Sequence, residues 1–435
     1  MYNIIAYENS TQNITCDNLS FWKTISDMGQ QVKNELGLRR TPFEISPQGL
    51  TIGNVVGCVS LNDVTLKILP KVCKISTSRD DSATLKSILE KTLKCLNDSG
   101  RSTIFFSKKS VIDSDAALLV NVMARYFAIS LSAASKKSHI VSYKETVLKR
   151  SNVRGKILLE RQLASPNTDG KLWCRYKELS QDNLLNALLH WACLMFCNMA
   201  TEQDVKIMLR KLASLFPENN DLLSAASVVA IKIPRQYACY QWCISVAKQY
   251  YLQKKHNVKE STGNNQISGY LINMERSFEN MVAYYLHKAA LVLGYSHRSQ
   301  VSYLLAKSRE NNNAGFETRP DNIISSLSCP KTILIDAKYK SLDTGNKHHH
   351  KPSNEDFYQM ICSCLSPRAH EAILVYPNNA HFPGGTWSTC QPLNGNVVDI
   401  HAASIDVVAS DEDVINSFVE ILKNTNFFRS TSNAI

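Results

Sequence analysis

The chain has 435 residues, 44% of them hydrophobic and 20% charged, with 49 basic against 38 acidic residues for a formal net charge of +11. That length exceeds one ordinary hydrophobic core, so two or three domains are expected. The composition is that of a soluble globular protein, with no apolar run of transmembrane length, and the positive balance suits a polyanionic partner as well as an ordinary solvated face.

The opening "MYNIIAYENSTQNITC" lacks the basic and apolar blocks of a signal peptide, so a cytoplasmic location is expected. The thirteen cysteines then read as mostly buried free thiols, and with no C-x-x-C pair a zinc ribbon is not expected. Residues 1–78 read as a β-rich domain. Within them "LTIGNVVGCVSLNDVTLKILPKV" holds two extended runs around an Asn-Asp turn. Val64, Leu66 and Ile68 alternate with Thr65 and Lys67, which predicts one apolar and one polar face.

Residues 79–265 read as an α-rich middle region. "SATLKSILEKTLKCL", "DSDAALLVNVMARYFAISLSAASKK" and "DNLLNALLHWACLMFCNMA" carry apolar residues at three- and four-residue spacing. Ser180 or Asp182 is the expected N-cap of the last. A further helix covers "QYACYQWCISVAKQYYLQ", and "NVKESTGNNQISG" reads as a linker.

Residues 266–435 read as a mixed α/β domain. The helix "INMERSFENMVAYYLHKAALVLG" buries Phe278, Val282, Tyr285 and Ala289, with Glu279 on the flank of the stripe and Gly294 as its stop. Strands then flank Asp321 and Asp336. The helix "NEDFYQMICSCL" has Asn354 as its expected cap. The strands "EAILVYP" and "NVVDIHAASIDVV" and the helix "DEDVINSFVEILKN" complete the pattern.

The stretch "TRPDNIISSLSCPKTILIDAKYK" holds the chemistry. Its apolar strand ends in Asp336-Ala337-Lys338, and residues two apart on a strand share a face. A hairpin brings Asp321 alongside, and Glu279 completes three carboxylates and one lysine at a sheet edge. Carboxylates in that arrangement suit one or two Mg²⁺ ions, hence phosphodiester hydrolysis. The lysine would orient the water, help deprotonate it, or offset transition-state charge. The competing reading is a solvated strand end with a weak ion pair.

The set "NMERSFE…RPD…ILIDAKYK…DFYQM" resembles the McrC subunit family of modified-cytosine-dependent restriction systems, McrBC-like and LlaJI-type. "VGCVSLNDVTLKILPKV", "VRGKILLERQL" and "CRYKELSQDNLLNALL" extend the resemblance over most of the chain. It implies a C-terminal restriction-endonuclease-like domain of the PD-(D/E)xK type in an α/β protein. Asp321, Asp336 and Glu279 would be ligands of Mg²⁺ (or Mn²⁺), Lys338 the catalytic lysine and Gln359 the supporting glutamine. One departure is Ser363, where the family often has an aromatic residue.

The implied activity is cleavage of double-stranded DNA, carrying modified cytosine, in assembly with a separate McrB-like AAA+ GTPase or ATPase. Nothing in this chain matches a P-loop. Arg154, Lys156 and the basic stretch before them suit docking to that motor, a grip on DNA or a solvated surface. Glu275 and Lys340 are secondary candidates beside the core set. The run His348, His349 and His350 reads as a basic surface loop rather than a metal site. Two alternatives remain: a regulatory subunit that stimulates the motor with little cleavage of its own, and a RecB-like repair nuclease.

Overall fold

The computed structural model describes every residue except 1, 15, 17, 71–80, 96–103, 108–113, 165–169, 260–266, 308–314, 327–331, 341–350, 366–368, 370, 379–383, 392–396 and 427–435. The His348, His349 and His350 run and most of the expected linker lie outside the described residues. The fold is mixed α/β, as the sequence indicates. It divides into two compact units, Met1–Phe106 with Gly269–Ile435, and Ser107–Ser268.

The first segment runs β1 (Tyr2–Tyr7), β2 (Thr11–Gln12), α1 (Leu19–Leu36), β3 (Phe43–Ser46), β4 (Gly49–Ile52), β5 (Val55–Leu61), β6 (Val64–Leu69), α2 (Asp81–Lys94) and β7 (Ile104–Ser107). β5 and β6 form the expected hairpin, closed by Asn62 at a left-handed φ of 52°, a conformation asparagine tolerates. Thr65 does not lie on an exposed polar face. It is buried, and its hydroxyl sits 2.8 Å from the Ser60 hydroxyl across the hairpin. α1 is not anticipated by the β-rich reading. Phe21, Ile25, Met28, Val32 and Leu36 are buried along it, an apolar stripe at helical spacing that decides the conformation.

The second unit holds α3 (Ser114–Lys137), β8 (Ser142–Arg150), β9 (Lys156–Ile157), α4 (Leu159–Ala164), β10 (Leu172–Ser180), α5 (Leu184–Met199), α6 (Gln203–Ala213), α7 (Ala225–Val229) and α8 (Gln241–Lys259). Its helical core packs the Phe127 and Phe196 rings with centroids 4.8 Å apart. The cap of α5 is Asn183, whose side chain accepts the Asn186 N–H at 3.0 Å. Ser180 instead accepts the Asp182 N–H and shapes the preceding turn. β8 and β10 form an antiparallel ribbon from Ser142↔Ser180 to Arg150↔Leu172. The Arg150 and Arg154 guanidinium groups lie 5.2 and 4.8 Å from the Tyr176 ring, and Lys156 is exposed on β9.

The chain then returns to the first unit through β11 (Ser268–Asn273), α9 (Met274–Val292), β12 (Ser296–Ser299), β13 (Tyr303–Lys307), β14 (Gly315–Thr318), β15 (Asn322–Ser325) and β16 (Thr332–Ala337). It finishes with α10 (Asn354–Leu365), β17 (Glu371–Pro377), β18 (Gly385–Ser388), β19 (Asp399–Ile405) and α11 (Asp411–Lys423). β11 has no counterpart in the sequence reading, which starts a helix at Ile272. It joins a five-stranded sheet in the order β1-β6-β5-β11-β7, so segments far apart in sequence share one sheet.

Gly269 permits that close approach. Its φ is +117°, and a Cβ there would lie 2.1 Å from the Cys58 carbonyl oxygen on β5. Gly269→Ala is expected to cost at least about 2 kcal/mol of stability. Calorimetry should show a lower melting temperature, and an unchanged one would rule out this packing.

The second sheet of this unit has six strands in the order β12-β15-β16-β17-β19-β18. β16, β17 and β19 are mutually parallel, and α10 is the crossover that parallel β16 and β17 require. Leu334, Leu374 and Ile400 pack with Met360 and Cys364 of α10 in one buried cluster. α10 is capped by Ser353, whose hydroxyl accepts the Asp356 N–H at 3.1 Å, one residue before the expected cap. α9 packs against β16, β12 and α11. No helix among the described residues is long and apolar enough to cross a membrane.

Candidate active site

Asn322 on β15 pairs with Ile335 on β16 in the antiparallel register. Asp321, just before β15, therefore lies beside the carboxyl end of β16, where Asp336 sits. This is the hairpin juxtaposition expected from the sequence, and it has a direct link: the Asp321 Oδ2 accepts the Ala337 N–H at 2.9 Å. The carboxyl ends of parallel strands are the usual place for ligands in open α/β sheets.

Asp336 is 4% exposed, and a carboxylate that buried needs a partner. Lys338, on the same face, supplies one as an ion pair. The Lys338 Nζ also donates to the Gln359 Oε1 at 2.9 Å. Its charge is thereby held between the strand and α10. Burial alone would lower the Lys338 pKa, but the adjacent Asp336, with Asp321 and Asp356 behind it, outweighs burial and keeps it above its ordinary value. Lys338 is a cation here, which fits charge stabilisation and orientation better than a role as proton acceptor.

Asp321 responds in the opposite sense. Burial, then the negative charges of Asp336 and Glu279, push its pKa up to about 8. Asp321, Asp336, Lys338, Glu279 and Gln359 thus belong to one neighbourhood, each through a hydrogen bond, an ion pair or a charge felt by Asp321. Among the described residues no three His, Cys, Asp or Glu side chains close up into a metal cage. The donor set still fits Mg²⁺. This ion is held by one or two carboxylates, with water and phosphate oxygens filling the remaining positions. Like-charged carboxylates crowded enough to hold a proton at neutral pH are a natural seat for a hard cation. Glu275 is exposed on α9, consistent with a solvated residue.

Two contributors escape the sequence reading. Asp356, in the first turn of α10, has a side chain only 3% exposed and takes the Lys340 Nζ at 2.9 Å. Its other oxygen accepts the Tyr376 hydroxyl at 3.4 Å. An acidic residue in a first turn is favoured in any helix, so it carries no local signal. Gln300 holds a left-handed φ of 55° and donates its side-chain amide to the Asp321 Oδ1 at 2.9 Å. Arg319 fixes Gln300 by donating to its carbonyl at 3.0 Å. Ser363, the departure from the resembled pattern, is buried and lies 2.6 Å from the Thr318 hydroxyl. A hydrogen bond to the strand leading to Asp321 stands where the resembled family often has an aromatic residue.

Comparison with known proteins adds three findings. A family model described as McrBC 5-methylcytosine restriction system component matches residues 50–377. Among curated proteins nothing matches. Among solved structures, a chain of a refined half-complex from the tetradecameric assembly of Thermococcus gammatolerans McrB AAA+ hexamers with bound McrC is similar at 17% identity and a TM-score of 0.58, covering 97% of this chain and 99% of that one. A chain of the T. gammatolerans McrBC complex, seen by cryo-EM, aligns over 66% of this chain and 88% of that one, at 18% identity and a TM-score of 0.40.

Proposed function

Because the chain belongs to the family of McrBC 5-methylcytosine restriction system components, we propose that it is the DNA-cleaving subunit of such a system. On this reading residues 266–435 are a PD-(D/E)xK nuclease domain that hydrolyses phosphodiester bonds in duplex DNA carrying modified cytosine. It acts in the cytoplasm with a McrB-like AAA+ GTPase or ATPase, the kind of assembly named for the similar solved chain. The observation that carries the proposal is the convergence of Asp321, Asp336, Lys338 and Gln359 at the carboxyl end of β16.

Asp321 and Asp336 would hold Mg²⁺ or Mn²⁺, with Glu279 behind them. The bound ion would polarise the scissile phosphate and acidify an attacking water. Gln300 and the Ala337 N–H fix the two Asp321 oxygens. Lys338, pinned by Asp336 and Gln359, presents a fixed positive charge where the phosphorane gains negative charge. Gln359 is exposed on α10 and orients that ammonium from the solvent side.

The test is cleavage of methylated and unmethylated duplexes by the chain with its AAA+ partner, with Mg²⁺ or with EDTA. Cutting that requires both partner and Mg²⁺ is expected; EDTA-resistant cutting would overturn the site. Asp321 must give up its proton to take a cation. Mg²⁺ affinity should therefore rise from pH 6 to about pH 8 with release of up to one proton near neutrality. Titration calorimetry in buffers of different ionisation enthalpy measures that release directly. Affinity independent of pH would exclude Asp321 as the ligand.

A further inference from the structure

Beyond Ala337, the last residue paired with β17, the ladder no longer holds the strand. Among the described residues one further backbone bond continues it, from the Lys338 N–H to the Val375 carbonyl at 2.8 Å. The chain then turns tightly, with the Lys340 N–H on the Lys338 carbonyl at 2.9 Å. On one side of this turn Lys338 engages Asp336 and Gln359, and Lys340 engages Asp356. Tyr339 goes the other way. It is 7% exposed and its ring lies 5.7 Å from that of Phe278, the residue before Glu279 on α9. Its hydroxyl donates to the Oε1 of Glu8.

Glu8 follows directly on β1 and is 0% exposed. Its backbone is fixed. Its N–H bonds to the Leu69 carbonyl at 3.0 Å, and the next N–H, of Asn9, to the Gly53 carbonyl at 3.2 Å. Asn9 itself has a left-handed φ of 49°, so the carboxylate is aimed by a turn with little freedom. The same N-terminal sheet launches α9 through β11, where the Met274 N–H bonds to the Asn54 carbonyl at 3.0 Å. One sheet thus reaches the site twice, at Glu279 through α9 and at Lys338 through Tyr339.

We infer that Glu8 and Tyr339 are positioning residues: the buried hydroxyl-to-carboxylate bond sets where the Lys338 ammonium stands. The inference rests on the nuclease reading of the site. A buried carboxylate could merely be satisfied by a nearby hydroxyl. That account leaves no reason for the bond to fall at the residue between two lysines that grip the opposite face. The geometry makes Tyr339 the pivot of that short segment, and Glu8 the fixed point on which it turns.

The test uses the full chain with its AAA+ partner and four variants. Tyr339→Phe removes only the hydroxyl and keeps the ring on Phe278. Glu8→Gln keeps an acceptor oxygen, Glu8→Ala removes it, and Lys338→Ala marks the floor. Single-turnover cleavage by Tyr339→Phe should fall about ten- to a hundredfold at unchanged half-saturating DNA. Glu8→Gln should stay within about threefold of wild type, since a carboxamide oxygen still accepts the bond.

A second readout needs no cleavage. Acetylation of Lys338 in the metal-free chain, followed by mass spectrometry, should be several-fold faster in Tyr339→Phe and near normal in Glu8→Gln. Wild-type rates of both cleavage and labelling in Tyr339→Phe would overturn the inference, as would Glu8→Gln behaving like Glu8→Ala. If Glu8→Ala fails to fold, Tyr339→Phe still decides. A wild-type chain that cuts nothing in any condition would instead remove the nuclease reading, and the Lys338 labelling alone would then support or refute the tie.

Discussion

Lys338→Ala and Asp336→Asn should each reduce cleavage of DNA by about a thousandfold or more, the scale on which a single preorganised charge contributes in a desolvated site. Lys338 is only 16% exposed and its partner carboxylate 5%. Its ammonium therefore acts in a medium where screening by water is weak. Lys338→Ala also strands a buried carboxylate, which destabilises a fold by about 3–5 kcal/mol when nothing replaces the partner. Loss of activity must be separated from loss of structure.

Asp336→Asn makes the separation. It keeps an oxygen on the Lys338 ammonium and relieves repulsion on Asp321, which can then ionise nearby, so its melting temperature should fall less than that of Lys338→Ala. Binding to the AAA+ partner should persist in both variants. Lys338→Arg is expected to be nearly as inactive as Lys338→Ala. A planar guanidinium cannot reproduce the point contact that an ammonium makes between Asp336 and Gln359. Full cutting by either Lys338→Ala or Asp336→Asn would remove this pair from the chemistry.

The core of this site was legible because its signal is local. An apolar strand that ends in Asp-x-Lys breaks the rule against buried charge within three residues, and the preceding Pro-Asp falls within hairpin reach. Gln359 came from the family resemblance, which set it on the helix "DFYQM" near the lysine; the contact itself is seen in the fold. What was not legible depends on pairings across the chain. Glu8 stands in the polar text "YENSTQ" and reads as a loop residue until Tyr339, 331 positions later, closes on it. In β11, Ser268 and Gly269 read as the end of a linker and Ile272 and Asn273 as the start of α9; only the flanking strands β5 and β7, distant in sequence, make the segment a strand. In the β8–β10 ribbon, β8 buries no residue and β10 buries only Cys174 and Tyr176 between exposed Arg175 and Lys177, an alternation too short to stand out from the sequence. α1 differs from these cases. Its buried stripe is visible in the sequence and was obscured by the strands around it.

Asp321→Asn should make the metal-free protein more stable near pH 8 while destroying its affinity for Mg²⁺. The Asp321 pKa in the fold is about 8, against an ordinary 3.8. Below about pH 4 the carboxyl is protonated in the folded and unfolded chains alike, and its contribution to stability is intact. Between there and pH 8 the unfolded chain ionises freely while the folded site resists. Stability is lost across that window and levels off above it. A displacement of this size corresponds to a few kcal/mol at most, because Asp336 and Glu279 share the repulsion.

Asparagine has no charge to lose, so the variant's pH profile should be flatter from pH 4 to 8. Its oxygen can still accept the Ala337 N–H, and the Gln300 amide can turn to meet its nitrogen. Mg²⁺ should reverse the order. A ligand that binds only the folded state adds RT ln(1 + [L]/Kd), which wild type gains and the variant forgoes. Denaturant melts at pH 5 and pH 8, each with EDTA and with Mg²⁺, measure all four corners. A variant no more stable than wild type at pH 8 in EDTA would mean that Asp321 is not held against its own charge. The fold would then be storing no electrostatic strain for a cation to relieve.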